Sequence, residues 1–315
     1  MVLKTVFSLA SPRGPRARLS VLMFHRVTSQ PDPIFPDEMH AERFDTLCGW
    51  LSSWFNVLPL DQAAVQLKTG SLPARALCIT FDDGYADNHD VALPILRRHG
   101  LSATFFIATG FLDGGRMWND SLTEAVRACS KAELDLTALG LGHHPLSSFS
   151  AKRQAAVALI RQVKYQPMSL RVEVGDQVAR LAGVELPTDL MMRSSQVIAM
   201  RRAGMQIGAH TISHPILATL DETAARNEVK GSKDWLEHLL GERVGLFAYP
   251  NGKPNEDFSP ANRELVRGLD FDAALSTEWG TTRFGDDPMQ IRRFTPWDHS
   301  RRRFGLRMLS NMARR

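Results

Sequence analysis

The 315-residue chain predicts an α/β fold: a distorted (β/α) barrel of seven strands with a helical insertion on one loop. Three observations predict it. Short apolar runs alternate with helical patterns along most of the chain, which implies parallel strands joined by right-handed crossovers. Seven or eight such units in about 290 residues favour a closed barrel over an open sheet. One long stretch, residues 112–193, breaks the rhythm and reads as an insertion.

Residues 19–25 (LSVLMFH) read as the first buried strand, and residues 55–60 as a short second one. A helix over residues 61–68 starts at Asp61, a residue type that accepts from the free amides of a first turn. Residues 76–81 form the next strand. A helix over 90–99 stops at Gly100, which tolerates the left-handed backbone of a helix end. Residues 103–108 (ATFFIA) are strand-like. The insertion then opens on Asp113-Gly114-Gly115 and holds helical patterns at 151–163 and 172–182. Its position after a strand end places it over the face where barrels collect their functional residues. The alternation resumes with a helix at 194–203, a strand at 205–209, a long helix at 223–240 and a strand at 244–249. A helix at 261–267 and strands at 271–276 and 290–294 complete the series. The barrel is thus expected over 19–297, with 1–18 and 298–315 as basic extensions.

Composition excludes several classes. With 43% apolar and 23% charged residues, the chain is neither low-complexity nor disordered. No run approaches 18 apolar residues, so no transmembrane helix is expected. The net charge is +4, but residues 1–26 carry five basic groups and residues 299–315 carry six, with no acid in either segment. Residues 27–298 therefore sum to −7. A basic groove for nucleic acid would need lysine and arginine across the body, so nucleic acid is not expected as a partner. The basic ends are expected to be solvated, or to touch a membrane surface or a partner. Cys48, Cys78 and Cys129 have no metal or disulfide spacing and read as reduced structural thiols. The apolar stretch at 6–10 is too short for a secretory signal, so a cytoplasmic location is expected, with a periplasmic or membrane-peripheral one as the alternatives.

Three clusters carry chemistry. Thr80-Phe81-Asp82-Asp83-Gly84-Tyr85 follows an apolar strand directly. Two adjacent carboxylates repel unless a cation offsets them, and at a strand's last turn both can reach one pocket, one as ligand and one as base. A solvated Asp-Asp-Gly turn would look the same. His210-Thr211-Ile212-Ser213-His214-Pro215 follows another strand. Imidazoles four apart can share a metal, and two surface histidines would give the same string. Phe247-Ala248-Tyr249-Pro250-Asn251-Gly252 lies past a third strand. Its proline and glycine restrict Asn251, whose amide could face an oxyanion, although a plain turn fits equally. One carboxylate and two imidazoles make an open three-ligand site.

Taken together, Thr80–Gly84, His210–His214 and Ala248–Gly252 resemble the polysaccharide deacetylase (NodB-homology) family, carbohydrate esterase family four, over roughly residues 19–297. Met23-Phe24-His25-Arg26 and Ala103-Thr104-Phe105-Phe106 add to the match, and Tyr249-Pro250 with Arg292-Arg293 resembles the exopolysaccharide-associated bacterial branch. The resemblance implies Asp82 as general base, Asp83, His210 and His214 as metal ligands, and Asn251 at the oxyanion amide. Zinc is the default for such ligands, with cobalt and nickel also fitting. The family's third motif usually begins with an arginine that positions the base. Ala248 stands there, and Arg293 or Arg292 is expected to replace it. Its general-acid histidine is Thr277 here, which cannot protonate an amine at neutral pH, so His25 is the expected replacement, with a buried core histidine as the alternative. Tyr249, Pro250 and Trp118 are expected to bind substrate, and Trp297 could stack on a sugar. The function expected is metal-dependent hydrolysis of N-acetyl groups on an acetylated bacterial glycan or its precursor. The alternatives are an amidase on a small non-sugar amide and a non-catalytic carbohydrate-binding barrel. The acidic body is expected to suit neutral or cationic sugars.

Overall fold

Seven parallel strands form a ring. They are β1 (Arg18–Phe24), β2 (Ala76–Phe81), β3 (Thr104–Ile107), β4 (Gln206–Ala209), β5 (Leu246–Ala248), β6 (Ala273–Trp279) and β7 (Ile291–Arg293), hydrogen-bonded in that order. The computed structural model describes residues 2–314. Closure joins β7 back to β1. Leu22 pairs in parallel with Phe294; the Met23 N–H donates to the Phe294 carbonyl at 3.0 Å, and the Phe294 N–H to the Val21 carbonyl at 2.8 Å. Two short strands flank the ring, Asn56–Val57 beside β2 and Thr282–Arg283 antiparallel to β1.

Side chains alternate across the ring as strand geometry requires. Leu22, Phe24, Ile79, Phe81, Phe105 and Ile107 join the cluster beneath the outer helices. Val21, Cys78, Phe106, Leu246, Leu275 and Ile291 meet in a second cluster. At Gly208 a Cβ would lie 2.5 Å from the Phe106 ring, so only glycine admits that ring. The three cysteines are buried and unpaired.

The α-helices are α1 (Val2–Ala10), α2 (Ala41–Trp54), α3 (Leu60–Thr69), α4 (Leu93–Arg98), α5 (Trp118–Ala128), α6 (Phe149–Val163), α7 (Met168–Ala182), α8 (Ser194–Arg202), α9 (Glu222–Leu240), α10 (Pro260–Gly268) and α11 (Arg301–Ala313). Two details differ from the sequence reading. The strand expected over 55–60 is only two residues long, because Pro59 cannot donate to a ladder and α3 starts directly after it. Asp61 is therefore inside α3, and the Leu60 amide is instead taken by the Gln206 side chain at 2.6 Å.

The ends of the chain are not loose extensions. α1 and α11 pack together and on α2, burying Phe7, Phe304, Met308 and Met312. Trp54 sits between them, its ring 5.7 Å from Phe7 and 6.2 Å from Phe304. Two arginines of α11 hide this from a charge count because they lie over aromatic faces. Arg301 covers Trp54 at 5.0 Å, and Arg307 covers Trp297 at 4.5 Å while pairing with Asp298 at 2.7 Å. Among the described residues no helix is long and apolar enough to cross a membrane.

The insertion between β3 and β4 holds α5, α6 and α7 around an apolar cluster of its own, with Leu122, Val126, Leu159 and Val178 at its centre. It also contains a two-stranded hairpin, Glu133–Asp135 with His143–Pro145. Strands of three residues carry too little alternation to be read from sequence.

Candidate active site

Each part of the site leaves the C-terminal end of a ring strand. After β2, the Asp82 N–H donates to the Phe24 carbonyl at 2.9 Å, the last rung beside β1. Asp83 then turns into the left-handed region, with φ 77°. That conformation is costly for a residue with a Cβ, and it leaves both consecutive carboxylates within electrostatic reach of His210. After β4, Thr211 (φ 67°) and His214 (φ 55°) fold the chain back. Glu228 of α9 holds this turn. Its carboxylate accepts from the Ile212 and Ser213 amides, both at 2.9 Å, and from the Ser213 hydroxyl at 2.7 Å.

The result brings three donors together. Asp83 Oδ1 stands 3.4 Å from His210 Nε2 and 3.5 Å from His214 Nε2, and the ligand atoms all lie within 4.8 Å of one another. His210 Nδ1 donates to the Ala248 carbonyl at 2.7 Å, which leaves Nε2 as the free donor facing Asp83. Asp83 Oδ1 is buried and has no hydrogen-bond partner among the described residues. An orphaned carboxylate oxygen is expensive unless something absent from the protein's own atoms satisfies it. Ligands on a tetrahedral zinc stand about 3.3–3.6 Å apart, given bonds of about 2.0–2.2 Å. The donor set therefore fits a divalent metal. Burial, with the neighbouring His210, holds the His214 pKa down to about 4, so its imidazole is in the neutral, ligating form at pH 7. Burial opposes the charge on Asp83, but the two imidazoles outweigh it and hold its carboxyl well below the usual range.

Asp82 has a different partner. Arg293 Nη1 lies 2.7 Å from Asp82 Oδ1, and Arg293 Nε donates to the Ser276 carbonyl at 2.8 Å. The Arg293 side chain is completely buried. Burial pushes the Asp82 pKa up, yet the charge of Arg293 prevails and keeps it low. Arg292 points away, to Glu278 and Asp286 at the surface. Arg293→Ala is expected to cost about 3–5 kcal/mol, because it leaves a buried carboxylate unpaired. Arg292→Ala should cost less than about 1 kcal/mol. Urea unfolding of the two variants checks this, and equal midpoints would refute it.

Among known families, the model described as "Polysaccharide deacetylase" matches residues 69–164 and 176–268, more than half of the chain. The chain belongs to the polysaccharide deacetylase family. A curated Bacillus subtilis (strain 168) protein, "Putative polysaccharide deacetylase YxkH", is 21% identical over 243 residues, 76% of this chain; the chain spans 59% of that relative's length. Among solved structures, the Streptococcus pyogenes deacetylase PplD, in complex with acetate, superposes with a TM-score of 0.62 at 18% identity, over 95% of this chain and 99% of that one. A de-N-acetylase from Aggregatibacter actinomycetemcomitans superposes at 0.58 with 16% identity, over 93% and 99%. At these identities the solved structures establish the fold.

The remaining site residues divide. Asn251 (φ 57°) lines a cavity of about 210 Å³ together with Asp83, His214 and Trp118. The Asn251 N–H has no hydrogen-bond partner among the described residues. Where the polysaccharide deacetylase family usually has its acid, Thr277 clamps this loop. Its hydroxyl donates to the Asn251 carbonyl and its N–H to the Gly252 carbonyl, both at 2.8 Å. Tyr249 and Pro250 correct the expectation that they bind substrate. Tyr249 is wholly buried, stacked on Phe258 at 3.8 Å, and its hydroxyl donates to the Met289 carbonyl at 3.0 Å. Pro250 is buried beside it. Neither side chain lines the cavity that holds Asp83 and His214. His25 is exposed rather than a core residue. It stands at a neighbouring cavity of about 630 Å³ with Trp297. Glu228 and the clamp at Thr277 are supporting residues that the sequence reading missed; only the departure of Thr277 from the family's histidine drew notice to that position.

Proposed function

We propose that this chain hydrolyses N-acetyl groups on a bacterial polysaccharide or its precursor, in exopolysaccharide or cell-envelope metabolism, with a divalent metal, by default zinc, held by Asp83, His210 and His214. The observation that carries the reading is the division of labour between neighbours. Asp83 offers an unpartnered oxygen to two imidazoles, while Asp82 is fixed by Arg293. When bound, the metal supplies a Lewis acid and makes water more acidic at neutral pH. Asp82, ionised and oriented, takes the proton from the attacking water. The Asn251 N–H, held by the clamp of Thr277, donates to the oxyanion that forms at the acetamide carbon. His25, at the neighbouring cavity, returns a proton to the departing amine. PplD was solved with acetate, the product this reaction would release.

The test is acetate release from N-acetylated chito-oligosaccharides. Release is expected, a chelator should abolish it, and added zinc should restore it. Metal-loaded protein that frees no acetate from any acetylated glycan would overturn the proposal.

A further inference from the structure

The cavity that contains Asp83, His214 and Asn251 has a second wall, and that wall is cationic. Arg171 of α7 and Lys164, just past the end of α6, both line it. Arg171 is only 7% exposed. Its guanidinium makes no hydrogen bond or ion pair among the described residues, and its buried Nε has no partner. Its one electrostatic neighbour is the face of Trp118, 5.2 Å from the ring centroid. Burial draws the Arg171 pKa down, and no carboxylate acts against it. The contrast with other arginines near the site is sharp: Arg293 has Asp82 and Arg26 has Asp87, each at 2.7 Å. Lys164 is half-buried and forms no ion pair among the described residues either. A buried guanidinium without an anion is an arrangement that proteins rarely keep without a use.

We propose that Arg171, supported by Lys164, binds an oxyanion carried by the acetylated sugar, so that the substrate is an anionic amino sugar bearing a carboxylate or phosphate near its acetamido group. The planar guanidinium, backed by the Trp118 ring, presents a fork matched to such oxygens. Both residues come from the insertion, so the anion preference is built on the shared ring rather than into it. The inference rests on the deacetylase reading for the acetamido half of the ligand. It also replaces the expectation of neutral or cationic sugars, because a charge summed over a whole body does not report the field at one cavity wall.

Calorimetric titration of the full chain tests this with three probes: N-acetylglucosamine, its 6-phosphate, and the corresponding 2-acetamido-2-deoxyglucuronic acid. One of the two acids is expected to bind at least about tenfold tighter than the neutral sugar, a difference of about 1.4 kcal/mol. The acid that wins identifies the oxyanion. The advantage should vanish in Arg171→Gln. Equal affinity for all three probes in the unmodified protein overturns the proposal without recourse to a variant. An advantage that survives in a folded Arg171→Gln overturns it as well. Acetate release is read separately from binding. Preference for an acid without release would leave this inference standing and remove the deacetylase reading, and release without preference would do the reverse.

Discussion

Asp82→Asn is expected to lower acetate release by about 10²–10⁴-fold while the protein keeps its metal. The substitution preserves shape and removes the one property that matters, the capacity to accept a proton. Asp82 does not belong to the three-donor cluster, so metal content measured by atomic emission should equal that of the unmodified chain. Arg293 would lose its carboxylate, and the variant should therefore be less stable by a few kcal/mol. Rates need to be compared well below its melting temperature. A fall of less than tenfold would remove Asp82 from the role of base.

His214→Ala is expected to weaken zinc by more than 100-fold, and acetate release should fall with it. Loss of a residue that merely orients a ligand typically costs 10–100-fold in affinity, and His214 supplies one of only three donors. Its backbone sits at φ 55°, which alanine tolerates no better than histidine, so the effect lies in the missing imidazole. A second readout is thermal. Zinc at 100 times its dissociation constant should stabilise the unmodified chain by about 2.7 kcal/mol and do far less for the variant. A variant that retains one zinc at unchanged affinity would refute the assignment.

Much of this was legible in the sequence, for reasons that can be named. Asp82-Asp83 and His210 with His214 are neighbours along the chain, so each half of the metal site is visible as a string, and the preceding apolar runs place both at strand ends. The choice between Arg292 and Arg293 was also within reach. Ile291 points into the ring cluster, and period-two alternation sends Arg293 the same way and Arg292 outward. The same argument separates Ala248, inside the ring cluster, from Tyr249, which joins the outer one. Motif likeness hid this by treating Tyr249 as a site residue. Arg171 gave no signal. It lies far from Asp83 in sequence, on an insertion whose helices had to be docked before its neighbours could be known. The terminal helices were obscured for another reason, since their arginines read as solvated charge although Arg301 and Arg307 lie over tryptophan rings.

The seam between β1 and β7 has a consequence for how the protein comes into being. Asp82 and Arg293 are 211 positions apart, and the strand that brings Arg293 is the last to enter the ring. Contacts between such distant segments form late, since the intervening chain must first give up its freedom. During synthesis on the ribosome, Asp82, Asp83, His210 and His214 would all have emerged before the guanidinium that steadies the first of them. The nascent polypeptide can therefore assemble a metal cradle early, yet it gains a fully oriented base only once Arg293 has been translated.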